Sequence, residues 1–167
     1  RTRPMASDLA IPIGQYSDKG AKAENQDFHG AIIPGGPALA LKGIAIAIAD
    51  GITSSAFGRI AAESAVRSFL TDYYATSDAW TVKTAASRVI AATNSWLHGE
   101  TRRARIASGA EGDFDPGPDR GHVTTFSALV LKARKAHLFH IGDARISRLV
   151  GESLETLTED HRLVLSA

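Results

Sequence analysis

Gly43-Ile44-Ala45-Ile46-Ala47-Ile48-Ala49-Asp50-Gly51 is the stretch on which the fold turns. Isoleucine and alanine alternate from 44 to 49, giving a strand with one bulky and one small apolar face. That is the pattern of a strand covered on both sides. Asp50 continues the isoleucine parity, so a carboxylate leaves the core in register with Ile44, Ile46 and Ile48. A charged group at the rim of a core is costly unless a cation receives it. Gly51 lets the backbone turn sharply there and bring its carbonyl close to such a cation. An Asp-Gly turn after a buried strand is the plainer reading. It loses ground because a second strand ends in Gly142-Asp143.

Outward from this strand, the spacing predicts a strand over 9–16, a turn at Ser17-Asp18-Lys19-Gly20 and a second strand over 28–33. Pro34-Gly35-Gly36-Pro37 closes that strand. Beyond Gly51, the hydroxyls of Thr53, Ser54 and Ser55 suit the cap of a helix over 57–74. Ile60, Val66, Phe69, Leu70, Tyr73 and Tyr74 would line its apolar side. A second helix over 81–103, capped by Asp78, carries Val82, Ala86, Val89, Ile90, Thr93, Trp96 and Leu97 on one stripe. Arg102, Arg103 and Arg105 suit the negative end of its dipole better than a nucleic-acid surface. Residues 107–122 read as an exposed loop whose Glu111, Asp113, Asp115 and Asp119 lack the closing glutamate of a calcium loop. Strands over 123–132, 135–141, 144–150 and 153–157 then follow as an antiparallel meander.

Composition sets the outer limits. The 167 residues suffice for one domain with a sizeable core, and a net charge of +1 gives no argument for nucleic acid. No apolar run is long enough to span a bilayer, because Lys42 and Asp50 close the best one. The absence of cysteine excludes disulfides, thiolate catalysis and cysteine-ligated zinc, and is compatible with the expected cytoplasmic location. Met5 is the only methionine, so residues 1–8 are read as a tail, partly an appended remnant. Residues 9–167 are read as one partial domain that stops within the apolar run Leu163-Val164-Leu165.

Asp143 shares a pleat face with Phe139 and Ile141, and Asp27 lies in a polar stretch between strands. If Asp27, Asp50 and Asp143 converge, they make an oxygen-rich pocket suited to magnesium or manganese. A Gly-Asp-Ala hairpin turn is the competing account of Asp143. The six histidines offer no ligand pair at helical spacing, and His137 and His140 fall on opposite faces of their strand. Neither a GxSxG nucleophile turn nor a Walker-type phosphate loop is present.

Five stretches in order are recognisable together: Lys22-Ala23-Glu24-Asn25-Gln26-Asp27, Ala49-Asp50-Gly51, Thr124-Thr125-Phe126-Ser127-Ala128, His140-Ile141-Gly142-Asp143-Ala144-Arg145 and Leu157-Thr158-Glu159-Asp160-His161. They resemble the successive motifs of the metal-dependent protein serine/threonine phosphatases of type 2C. The wording of several segments is most similar to a bacterial subgroup in which a protein kinase domain follows in the same polypeptide. The resemblance implies an α+β fold, an α-β-β-α sandwich of two antiparallel sheets flanked by helices, truncated here at the C-terminus. It implies hydrolysis of phosphoserine and phosphothreonine in proteins by a water activated at a two-ion magnesium or manganese centre.

Carried over by position, the resemblance makes Asp50 the bridge between two ions, with the Gly51 carbonyl on one of them. It makes Asp27 a ligand to a metal or to its water, and Asp143 part of a third, weaker ion site. Asp50 and Asp27 are thus the catalytic candidates, and Lys22 stands where the family usually has a phosphate-binding arginine. Lysine keeps the charge and loses the bidentate fork. Gln26 replaces a glutamate ligand of some members, Ile52 a histidine proposed as general acid, and Thr53-Ser54 a second glycine pair. The chain stops before two further metal-binding aspartates of the family, so weak metal binding, slow or absent turnover and self-association through uncovered sheet surface are expected of it. Two other readings stay open: a catalytically inactive phosphatase-like module that binds a protein partner, and a phosphohydrolase acting on small molecules.

Overall fold

The Ile/Ala stretch forms an inner strand of a four-stranded antiparallel sheet in the computed structural model, which describes residues 9–108 and 121–161. The strands are β1 (Asp27–Ile32), β2 (Ile44–Asp50), β3 (Phe126–Lys132) and β4 (Lys135–Ile141), paired in the order β1-β2-β3-β4. Three helices accompany them: α1 (Gly36–Lys42), α2 (Gly58–Ala75) and α3 (Val82–Ala107). A two-stranded ribbon of β5 (Ser147–Val150) and β6 (Ser153–Thr156) makes the second sheet. The fold is α+β with two antiparallel sheets.

The small face of β2 decides where the helices go. Ala45, Ala47 and Ala49 are fully buried against α2, whose Val66, Phe69 and Tyr73 join them in the core. Side chains this short let the helix axis approach the sheet, and Gly30 on β1 extends the allowance: a methyl there would lie 2.8 Å from Leu70 Cδ1. Helix α3 packs on α2 through Val82, Ala85, Ala86 and Val89. The isoleucine face is covered only at one end, from Ile44 at 0% exposure to Ile48 at 46%. Coverage on both sides, expected from the alternation, is therefore not what the described residues provide.

The entry to β2 is locked by polar contacts. Lys42 is buried, and its Nζ donates to Thr76 O (2.7 Å), Thr76 Oγ1 (2.9 Å) and Ser77 O (2.9 Å). The Tyr73 hydroxyl donates to Lys42 O and the Tyr74 hydroxyl to Gly43 O, each at 2.8 Å. Burial pushes both phenols up to about 12, so they remain donors at any physiological pH.

Several expectations need correction. Residues 9–16 form no strand: their alternation is weak and no described strand pairs with them. The segment after Pro34 begins a short helix, α1, with a proline at its start, where the missing N–H costs nothing. In α2 the expected Val66, Phe69, Leu70 and Tyr73 are buried together with Ala61, Ala62 and Ala65, while Ile60 is 52% exposed. Trp96 likewise stands at the surface of α3. Thr81 rather than Asp78 caps α3, accepting the Thr84 N–H at 3.1 Å; Asp78 lies 3.5 Å from Lys42. The strand expected over 144–150 begins only at Ser147, and the four closing strands divide into two hairpins in separate sheets. The tail at 1–8, the acidic run at 111–119 and the terminal apolar run lie outside the described residues.

Candidate metal centre

Asp27 and Asp50 are direct cross-strand partners where β1 begins and β2 ends. Residues paired across an antiparallel ladder point to the same face, so both carboxylates stand on the isoleucine side of the sheet. Asp27 is oriented from its N-terminal side: its N–H donates to Asn25 Oδ1 (3.0 Å), and Asn25 Nδ2 donates to Ser17 Oγ (2.8 Å). Asp50 is held by Thr124 and Thr125, the two residues that lead into β3. Its N–H donates to Thr125 Oγ1 (3.0 Å), while its carbonyl accepts from Thr125 N–H and Thr124 Oγ1, each at 2.9 Å.

Gly51 continues the same clamp. Its N–H donates to Gln26 O at 3.1 Å, tying the strand exit to the residue before Asp27. Its need to be glycine comes from crowding rather than from a tight turn. A Cβ at Gly51 would sit 2.3 Å from the carbonyl carbon and oxygen of Gly58, the first residue of α2. Ser55, not the N-cap residue Phe57, supplies the nearby hydroxyl, accepting the Phe57 N–H at 3.0 Å and donating to Gly121 O.

The electrostatics follow from this pairing. Partial burial raises the Asp50 pKa, and a hydrogen bond to Asp27, the charge of Asp27 and the charge of Asp143 push the same way. Lys22 opposes them. Two carboxylates in contact resist joint ionisation unless a cation joins them. Lys22 is the phosphate-binding candidate, and it lies within electrostatic reach of Asp50.

Asp143 reaches this neighbourhood by a route that strand parity does not describe. Ala47, Ala128 and Phe139 are cross-strand partners on the helix face, whereas Ile48, Ser127 and His140 share the opposite one. Simple continuation of the pleat through Phe139 and Ile141 would put Asp143 on the face away from Asp50. Gly142 interrupts it with φ +113°, and Asp143 emerges exposed, close enough to raise the Asp50 pKa. The turn is braced by the segment that ends the described chain. His161 N–H donates to Gly142 O (2.7 Å), Arg145 forms a bidentate pair with Asp160 (3.0 and 2.7 Å), and His140 bridges Ser127 Oγ (2.8 Å) and Glu159 O (3.0 Å).

A cavity of about 410 Å³ opens onto the carboxylate pair, lined by Tyr16, Ser17, Asp18, Asp27, Phe28, His29, Ile48, Asp50 and Ala144. Asp143 and Lys22 are not among its lining residues. Asp18 and Tyr16 escaped the sequence reading, which gave them to a turn and a strand. Asp18 does make a turn, accepting Gly20 N–H at 2.7 Å, and nothing in its spacing announces a cavity wall. A smaller, mostly apolar cavity between α2, α3 and β3 holds no carboxylate.

The donor set is hard and oxygen-rich, which fits magnesium or manganese. Its extent is limited: among the described residues no group of three or more His, Asp or Glu is gathered tightly enough to hold an ion. Gln26, the residue before Asp27, has its Oε1 enclosed without a partner among the described residues. Ile52 offers no acid, and its N–H donates to Val123 O.

Comparison with known proteins bears on the family and the fold. A curated serine/threonine phosphatase, stp, of Listeria welshimeri serovar 6b is 30% identical over 149 residues, covering 88% of this chain and 49% of its own length. The solved serine/threonine phosphatase of S. agalactiae superposes with a TM-score of 0.57 at 25% identity, covering 93% of this chain and 56% of the other. The catalytic domain of the phosphatase PstP, solved with two manganese ions, superposes at 0.55 with 22% identity over 84% of this chain and 51% of that one. The chain thus spans about half the length of the relatives it matches. The profile of the protein phosphatase 2C family matches residues 15–164, and the chain belongs to that family.

Proposed function

We propose that this chain carries part of the catalytic centre of a magnesium- or manganese-dependent phosphatase acting on phosphoserine and phosphothreonine in proteins. The observation that carries the reading is the Asp27–Asp50 pair, in register and facing one cavity, with Asp50 made reluctant to ionise alone. Asp27, Asp50 and the Gly51 carbonyl would hold the cations, with Asp143 contributing to a further, weaker site. Divalent ions bound there supply Lewis acidity and lower the pKa of water.

The chain's own residues do the rest. Thr124 and Thr125 fix the Asp50 backbone, and Asn25 fixes that of Asp27, so the two carboxylates need little reorganisation. Lys22 places one positive charge beside them for a phosphoryl oxygen, without the two-pronged hold of an arginine. Ile52 cannot donate a proton, so the leaving alkoxide takes its proton from solvent or from another group. A protein kinase domain in the same polypeptide and a cytoplasmic setting belong to the same proposal, as does pairing of the open isoleucine faces of two copies.

An inactive, partner-binding module is the competing reading, favoured by Gln26 and by the small ligand set. Manganese titration of a family-length version of the domain, with a phosphothreonine peptide and a small phosphate ester as substrates, separates them. Peptide hydrolysis that rises with manganese and disappears in Asp50→Asn supports the enzyme. Equal turnover by native protein and Asp50→Asn, or none by either, removes it, and preference for the small ester removes the protein substrate.

A further inference from the structure

Thr125 touches both carboxylate-bearing turns. Its Oγ1 accepts the Asp50 N–H at 3.0 Å, and its own N–H donates to Asp50 O at 2.9 Å, so it grips that residue's backbone at two points. Its other branch faces Gly142. A Cβ built at Gly142 would lie 2.6 Å from Thr125 Cγ2 and 2.7 Å from its Cβ, so the Gly142 backbone rests directly on the threonine side chain. Gly142 is the residue whose positive φ redirects β4 and delivers Asp143. Thr125 is itself buried, 8% exposed, and immediately precedes β3, the strand that pairs with both β2 and β4.

We propose that Thr125 is the positioning residue that sets the spacing between Asp50 and Asp143, its hydroxyl anchoring one turn and its methyl seating the other. The inference rests on the reading of Asp27, Asp50 and Asp143 as cation ligands. A β-branched residue with one polar and one apolar arm is the side chain this place requires. Serine has no methyl to seat Gly142, and valine has no acceptor for the Asp50 N–H. A group that orients a ligand without touching the ion acts on affinity through geometry.

The test uses this chain, manganese as the probe, and paramagnetic broadening of the amide signals of Asp27, Asp50 and Asp143 as the readout. Far-UV circular dichroism confirms folding of each variant. Thr125→Val should raise the manganese concentration for half-broadening at Asp50 by about tenfold or more, while Thr125→Ser stays within about threefold there. Broadening at Asp143 relative to Asp50 should fall in Thr125→Ser, because the seat for Gly142 is lost while the Asp50 anchor remains. A merely structural threonine would lower stability and leave these ratios unchanged. Thr125→Val that binds manganese like native protein, while Asp50→Asn does not, overturns the inference alone. If Thr125→Val fails to fold, a Thr125→Ser variant with an unchanged Asp143-to-Asp50 ratio overturns it. Native binding by Asp50→Asn instead overturns the reading on which the inference rests.

Discussion

Gly51→Ala is expected to damage the molecule out of proportion to one methyl group. The new Cβ would stand 2.3 Å from Gly58 C and O and 2.9 Å from Gly58 Cα, against 3.4 Å or more in ordinary contact. Every atom it meets is backbone, so no side chain can swing aside. The strand side cannot yield easily, because Gly51 N–H is bonded to Gln26 O, Ile52 N–H to Val123 O and Asp50 O to Thr125 N–H. Relief therefore requires the start of α2 to move off the sheet. Overpacking a core costs roughly 1–3 kcal/mol and occasionally more, and a clash of this depth belongs near the upper end. For a chain of this length, about 3 kcal/mol lowers Tm by roughly 6–12 °C. Gly99→Ala is the matched control: it lies within α3 with nothing inside 4 Å of the added methyl. It should stabilise by about 0.5–1 kcal/mol through helix propensity. Thermal melts of both variants by circular dichroism decide the matter. A Gly51→Ala melt within a degree or two of native would refute the close crossing of β2 and α2.

Three further outcomes are expected. Thr81→Ala should cost about 1 kcal/mol by removing the α3 cap, and Asp78→Ala less, measured by urea denaturation; equal losses would restore Asp78 as the cap. In metal-free protein the raised Asp50 pKa contributes stability fully present below its unfolded value of 3.8 and lost as pH rises through the folded value. Denaturant midpoints of native protein should thus fall across that window relative to Asp50→Asn, and parallel curves would remove the carboxylate repulsion from the account. His122, whose pKa is lowered by burial, should act in the opposite sense. Its contribution is present above the unfolded value of 6.5 and lost as pH falls toward the folded one, and His122→Phe should flatten that part of the profile.

Much of the centre was legible because short-range rules govern it. The Ile/Ala alternation identified β2 and put Asp50 at its exit, and the spacing of 135–141 identified β4. What parity could not reach was Asp143, since a single positive φ at Gly142 cancels the face that Phe139 and Ile141 assign. The reason for a glycine at 51, read as a sharp turn, was missed on similar grounds: the sequence shows a glycine, but only packing shows that Gly58 crosses it. Residues 9–16 are mostly apolar and alternate only weakly, and no described strand pairs with them, so propensity alone predicted an element that the fold does not make. Thr81 lost to Asp78 as the expected cap because both are good caps in sequence, and the buried amine of Lys42 draws Asp78 elsewhere. The cavity wall at Tyr16 and Asp18 is tertiary information throughout.

The central claim is that Asp27 and Asp50 grip one divalent cation between them. Calorimetric titration of manganese into native chain, Asp27→Asn, Asp50→Asn and the double variant tests it as a thermodynamic cycle. The account predicts that either single change costs about tenfold or more in affinity and that the second adds little once the first is made. Single variants that bind as the native chain does, or losses that simply add, would contradict it.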